Sequence, residues 1–297
     1  MDVLPEAPAL IEAPVRRVSK LRRLLRDPSG LLGVVVLGGV IFLALLAPWI
    51  SPHDPERQNL KASLLPPAWL DGGDSAYLFG TDRLGHDVLS RTIWSARTSL
   101  LIGFSAVALA VLLGVTIGVF AGYVGGRLED VVLRLADIQL AIPPILLAIV
   151  LAAAIGPSPT TIILVLGGTG WVVYARITRG DVLSLRDRSF VKAAVSLGAG
   201  HGRVVFRHIL PHLVSPILIV ATIEISLAIL AESSLSFLGL GIQPPTPSWG
   251  SMLGDGRDYL ASAWWLSVFP GIALMLTVLS VNLVGNWLRD VYDPRLS

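Results

Sequence analysis

Long apolar runs, separated by shorter polar segments, dominate the pattern along this chain. A helix needs about 20 mostly apolar residues to cross the hydrocarbon of a bilayer. Six runs meet or approach that length: 31–50, 99–124, 133–155, 161–175, 212–238 and 264–288. They predict an all-α membrane protein with six transmembrane helices. The implied organisation is a tail (1–30), a first span (31–50), a polar loop (51–98), a core of five further spans (99–288) containing a second polar loop (176–211), and a short end segment (289–297). The run at 161–175 is short and carries Gly167, Gly168 and Gly170, which blurs its ends. The run at 133–155 follows an amphipathic lead-in (128–142) with Glu129, Asp130, Arg134 and Asp137. Pro143-Pro144 then predicts a kink or a helix start, because proline removes a backbone donor.

Composition agrees with this pattern. Of 297 residues, 53% are hydrophobic and only 15% charged, against about 25% charged in soluble domains, and the mean hydropathy is +0.71. The 29 glycines and 20 prolines also suit membrane helices, which tolerate both. The run 31–50 exceeds the apolar core of about 7–15 residues found in a cleaved signal peptide and ends Ala47-Pro-Trp-Ile50, so it is expected to stay as an anchor. With no cysteine in the chain, disulfides, thiolate catalysis and cysteine-ligated metal are excluded.

Charge placement orients the spans. Basic residues collect on the cytoplasmic side of membrane proteins. Tail 1–30 has Arg16, Arg17, Lys20, Arg22, Arg23 and Arg26; loop 176–211 has Arg176, Arg179, Arg186, Arg188, Lys192, Arg203 and Arg207 against Asp181 and Asp187. Loop 51–98 is mixed in charge, loop 156–160 has none, and loop 239–263 has only Asp255, Arg257 and Asp258. Six crossings with both termini in the cytoplasm put every basic-rich segment on that side.

The chain lacks the motifs of an independent engine or enzyme. No G-x-x-x-x-G-K-[ST] phosphate loop, H-E-x-x-H or G-x-S-x-G occurs. His208 and His212 could share a helix face, yet no carboxylate adjoins them and Pro211 is expected to interrupt the helix. His86 beside Asp87 reads as a solvated turn. Gly114, Gly118, Gly122 and Gly126 recur every fourth residue, which permits close approach of a neighbouring helix. Glu224 and Glu232 fall within or at the end of the fifth span. Charge at such depth either lines a polar pathway or pairs structurally. Asp137, Asn282 and Asn286 read as interhelical hydrogen-bonding groups.

Between Asp181 and Pro211 the pattern predicts two short helices, about 187–197 and 201–209, broken at Gly198-Ala-Gly200. The first carries Phe190, Val191, Ala194, Val195 and Leu197. Such an amphipathic helix could lie on lipid, pack on its own bundle or dock in a partner's groove.

The stretch Val191-Lys-Ala-Ala-Val-Ser-Leu-Gly198, followed by Leu210-Pro211, resembles the "EAA loop" of membrane subunits of ABC importers. The dipeptide/oligopeptide/nickel branch, in its second permease type, is resembled by four further stretches: Leu78 to Arg91, Ala231 to Gly250, Trp264 to Gly271 and Gly285 to Leu296. The resemblance implies a type I ABC importer fold and a permease for di- or oligopeptides in the cytoplasmic (inner) membrane. Nickel or another metal chelate is the alternative cargo, and a membrane-embedded enzyme a more distant one. It also implies partners: a homologous second permease, two ATPase subunits that hold ATP and magnesium, an extracytoplasmic solute-binding protein, the peptide substrate and membrane lipid. No nucleic acid is involved, and no cofactor or metal is expected on this chain. Phe190, Val191, Lys192, Ala193, Ala194, Gly198, Gly200, Leu210 and Pro211 would couple to the ATPases; Glu224 and Glu232 are pathway candidates, and Gly114, Gly118 and Gly122 packing positions. Lys192 stands where the family has glutamate, His208 where it has isoleucine, and His86 where it often has arginine. The outer loop 51–98 would pack over the translocation mouth, as a receptor-contacting surface or as an ordered cap.

Overall fold

The computed structural model describes residues 24, 25 and 27–292. The basic tail residues Arg16, Arg17, Lys20, Arg22, Arg23 and Arg26, and residues 293–297, lie outside the described residues. Helix α1 (Pro28–Ile50) starts at Asp27, whose carboxylate accepts the Ser29 backbone N–H at 3.0 Å, with Pro28 in the first turn where its missing donor costs nothing. After a long irregular segment come α2 (Val88–Val124), α3 (Gly126–Leu140), α4 (Pro144–Ile155), α5 (Pro159–Arg186) and α6 (Ser189–Ser196). Helix α7 (His201–Phe237), α8 (Trp249–Gly256) and α9 (Trp265–Tyr292) complete the chain. No strand forms among the described residues.

Five helices (α1, α2, α5, α7 and α9) are long and apolar enough to cross a membrane. The run expected as one span over 133–155 is instead the pair α3 and α4, bent by 87°, which makes a sixth span only when the two are counted together. The cause is local. Pro143 and Pro144 lack the N–H groups that the carbonyls of Gln139 and Leu140 would take in a continuing helix. Helix α4 alone reaches only about 18 Å at 1.5 Å per residue.

Three other boundaries differ from the hydropathy reading. The span expected over 99–124 begins at Val88, because Ser90, Arg91, Ser95 and Ser99 are buried rather than solvated. The span expected over 161–175 runs from Pro159 to Arg186, so the loop 176–211 is mostly helix and Arg176 and Arg179 belong to α5. The separate helix expected over 201–209 is the start of α7, which does not stop at Pro211. A wider π turn over Val204–Ile209, with the Leu210 N–H donating to Val205 O, carries the helix past the proline.

Helices α2 and α5 form the most extensive pair, α1 packs on α9, and α7 lies between α2 and α9. A Cβ on Gly114 would meet Trp171 O and Tyr174. One on Gly118 would meet Ala175 and Thr178, and one on Gly122 would meet Arg179 O and Val182. Gly167 of α5 likewise sits on Ala106 O and Leu109. Where lipid tails are as apolar as the side chains, helices adhere by such close backbone contact. Gly126 leaves this face: it opens α3 at φ +61° with nothing around it.

The helices sort the connections to two ends. One end, here the cap, gathers residues 51–87, α8 and residues 238–264. The other gathers α6, the starts of α1, α3 and α7 and the end of α9; there Gly30 lies against Trp287.

Candidate functional site

At the α6 end, the last turn of α5 gives way to Asp187 and the extended Arg188, and α6 begins. One side chain anchors it: Val191, 3% exposed, packs with Val119, Val182, Val204, Ile209 and Leu213. Phe190, Val195 and Leu197 are left outward, Leu197 at 88% exposure. Lys192 and Ala193 are exposed and Ala194 half-buried. Gly198 N donates to Val195 O at 2.9 Å and Ala199 N to Ala194 O at 3.0 Å, the paired bonds of a Schellman turn. This turn requires the left-handed φ of +84° that Gly198 adopts. Gly200 then starts α7 from an extended conformation.

The surroundings of this handle are tied down. Arg186 Nη1 donates to Gly122 O at 2.9 Å, and the Tyr123 hydroxyl lies 2.9 Å from His201 Nδ1. Arg179 grips Glu129 through Nε at 2.7 Å and through Nη2, and Arg176 pairs with Asp137. Two of the basic residues that oriented the chain therefore serve to fasten α3 to α5. Asp137 is an interhelical group as expected, whereas Asn286 is exposed. Lys192 Nζ sits 3.5 Å from Asp187 Oδ1, both well exposed, an ion pair worth at most about 1 kcal/mol. Leu210 is half-buried and Pro211 exposed, at the π turn. His212 tilts over Phe190 with ring centroids 5.5 Å apart, and His208 is half-buried.

The cap brings together three of the stretches that the sequence displays far apart. Trp265 Nε1 donates to Thr81 O at 3.2 Å, Trp249 Nε1 donates to Thr92 O at 3.1 Å, and Thr81 N donates to Leu65 O at 3.0 Å. His86 is not in a solvated turn. It is 5% exposed, with Nδ1 2.7 Å from Asp82 Oδ2 and 2.8 Å from Arg91 Nη1. That nitrogen donates to Asp82 when it carries the proton and accepts from Arg91 when it does not. Burial pushes the Asp82 carboxyl up. The His86 hydrogen bonds and the Arg91 and His86 charges outweigh burial and hold it below the ordinary 3.8. Asp87 caps α2, accepting Ser90 N at 3.0 Å and Ser90 Oγ at 2.5 Å.

The two acids of α7 differ sharply. Glu232 is 0% exposed. Its carboxylate accepts Ser99 Oγ at 3.0 Å, Ser236 Oγ at 2.8 Å and Ser233 Oγ at 3.4 Å. Glu224 is half-buried in the middle of α7 and borders a cavity of about 470 Å³ between α2, α3, α4, α5 and α7. Sequence reasoning paired these acids because each breaks an apolar run. Ser233 and Ser236 stand beside Glu232 on its own helix; Ser99 is the donor that only folding brings to it.

The family model described as "binding-protein-dependent transport system inner membrane component" matches residues 114–297. One described as the "N-terminal TM domain of oligopeptide transport permease C" matches residues 17–67. The chain is 43% identical over 264 residues to the di/tripeptide transport system permease protein DppC of Pseudomonas aeruginosa, covering 89% of this chain and 87% of that one. It is 45% identical over 271 residues to the dipeptide transport system permease protein DppC of Escherichia coli K12 (91% and 90%). It is 42% identical to that of Haemophilus influenzae (91% and 92%).

Proposed function

Because the chain belongs to the family of binding-protein-dependent transport system inner membrane components, we propose that it is the permease of an ATP-driven importer of di- and oligopeptides. The observation that carries this reading is the identity of 42–45% to dipeptide permeases over about nine-tenths of both chains. In this reading a second, homologous permease completes the pathway, and two ATPase subunits hold ATP and magnesium. An extracytoplasmic solute-binding protein delivers peptide to the cap, and residues 51–87 close over the mouth as part of it. The α6 end faces the cytoplasm; Arg188, Arg203 and Arg207 at that end support the orientation.

Coupling runs through α6. Phe190, Val195 and Leu197 offer an apolar surface that an ATPase groove can cover, while Val191, Ala194 and the Gly198 turn hold that surface at a fixed angle to α5 and α7. Lys192, Ala193, Gly200, Leu210 and Pro211 frame it. ATP binding by the partners draws α6 with them, and the helices respond as rigid bodies, since the ATP-bound state makes contacts the free state lacks. Glu224 belongs to the pathway. For Glu232, the three serine donors and full burial support a packing role.

A cysteine-free chain makes the test direct. Leu197→Cys in the complete importer reacts with a maleimide in the cytoplasm, and the reaction slows when the ATPase subunits bind. Labelling of this position from the outside, or at an unchanged rate in the assembled complex, would falsify the docking.

A further inference from the structure

We propose that the cavity beside Glu224 is a mid-membrane station that receives the protonated amino terminus of the travelling peptide. The inference rests on the reading of this chain as a peptide permease and adds a binding site to it. A carboxylate at the centre of a membrane helix is costly unless something answers its charge. Two other acids of the bundle are answered from within, Glu232 by three serines and Glu129 by Arg179, whereas Asp181, nearer the α6 end of α5, is half-buried without a partner among the described residues. Glu224 has no hydrogen bond or ion pair among the described residues; it borders the cavity, near the buried Tyr174 hydroxyl, which has no partner either.

The same cavity is bordered by the broken end of a helix. Leu140 and Ile142 border the same cavity at the break between α3 and α4. Pro144 cannot return the hydrogen bond that the Leu140 carbonyl would receive in a continuous helix, and Pro143 and Pro144 bring no N–H groups of their own. The negative end of the α3 dipole lies at this break. Gln139 is held there, its Nε2 donating to Thr169 O at 2.5 Å and its Oε1 accepting Trp171 Nε1 at 2.8 Å. Broken membrane helices present carbonyls and helix C-termini to cations in this manner. One carboxylate beside backbone acceptors suits an ammonium group with its three N–H donors. Among the described residues no group of three or more acids and histidines could hold a metal ion.

The remainder of the wall explains why the amino terminus is the part that is gripped. Val107, Ile145, Leu166, Leu227 and Ala228 are apolar and unselective. Peptides differ in side chains and share the terminal ammonium, so a site that passes many peptides gains by binding the shared group.

The test uses the complete importer in proteoliposomes with its binding protein. Uptake of alanyl-alanine by the wild type is the first measurement. Its absence overturns the peptide reading itself, independently of Glu224. In Glu224→Gln, uptake per ATP hydrolysed is expected to fall by about tenfold, the size of one charge-assisted contact. Glu224→Asp keeps most of that uptake. Separately, Ala228→Cys in the solubilised complex is labelled with a maleimide in the ATP-analogue state. Alanyl-alanine should slow the labelling, N-acetyl-alanyl-alanine should not, and Glu224→Gln should abolish the protection. The proposal is overturned by wild-type uptake in Glu224→Gln or by equal protection from the acetylated peptide. Loss of the second permease from the Glu224→Gln complex also overturns it, since the carboxylate would then pair across the subunit interface.

Discussion

At the α6 end, Gly198 closes a short helix with two backbone hydrogen bonds and a φ of +84°, and nothing lies within 4 Å of where its side chain would be. At the cap end, Gly239 closes α7 with the same pair of bonds, to Ser236 O at 3.0 Å and Leu235 O at 2.9 Å. There the chain doubles back at once. A Cβ on Gly241 would strike Ser236, and one on Gly250 the backbone of Ser233. Both turn glycines are themselves open, with nothing within 4 Å of either, but the chain after Gly239 is pressed onto the serines that hold Glu232. A helix that a partner must seize keeps a single buried anchor and an apolar face outward. A cap that must keep its shape through every cycle buries polar groups and pairs the carboxylates of Glu232 and Asp82 with donors from its own residues.

Four substitutions sharpen or break that contrast. Gly250→Ala should be the most damaging, because the added carbon meets main chain that cannot rotate away. We expect a loss of about 3 kcal/mol, read as a large drop in Tm of the detergent-solubilised protein. Glu232→Ala leaves the buried hydroxyls of Ser99, Ser233 and Ser236 without their acceptor and should cost about 2 kcal/mol in the same measurement. Gly198→Ala forces an L-residue into the left-handed region for about 1 kcal/mol, with no clash. Insertion and cap stability should persist while binding-protein-stimulated ATPase activity falls; a protein that loses its cap as well would erase the distinction between the ends.

The smallest effect is electrostatic. Asp82 in the cap is held below its ordinary 3.8. An acid whose folded value is lowered adds stability that is complete above the unfolded value and is lost as pH falls below it toward the folded one. The cap should therefore melt more easily below about pH 4, and Asp82→Asn should flatten this dependence while lowering Tm at neutral pH. The α6 end, whose Lys192–Asp187 pair is exposed, should contribute little to it.

Much of this was legible along the chain. The apolar runs located five spanning helices and the bent pair α3 and α4, Pro143-Pro144 marked the break, and Gly114, Gly118 and Gly122 marked the face that meets α5. The α6 segment could be placed because Gly198 has a turn of its own to make. Legibility failed where polarity was buried. Val88 to Thr98 looked like loop because Ser90, Arg91 and Ser95 lower its hydropathy, although folding buries all three against the cap. Helix α5 looked short because Gly167, Gly168 and Gly170 weaken the apolar signal, while Gly167 and Gly170 are spent on contact with α2. Pro211 looked like a stop because a π turn is not visible in a list of residues.

Hydropathy and the scarcity of charge determined that this polypeptide lives in a bilayer as helices, since no other open backbone satisfies its own hydrogen bonds there. Family motifs pointed to its task. Which acid is answered and which is left facing a cavity was decided only by the tertiary structure. Glu224 and Glu232 are the same residue type on one helix; Ser233 and Ser236 of that helix and Ser99 of α2 close around one, while the other borders a cavity.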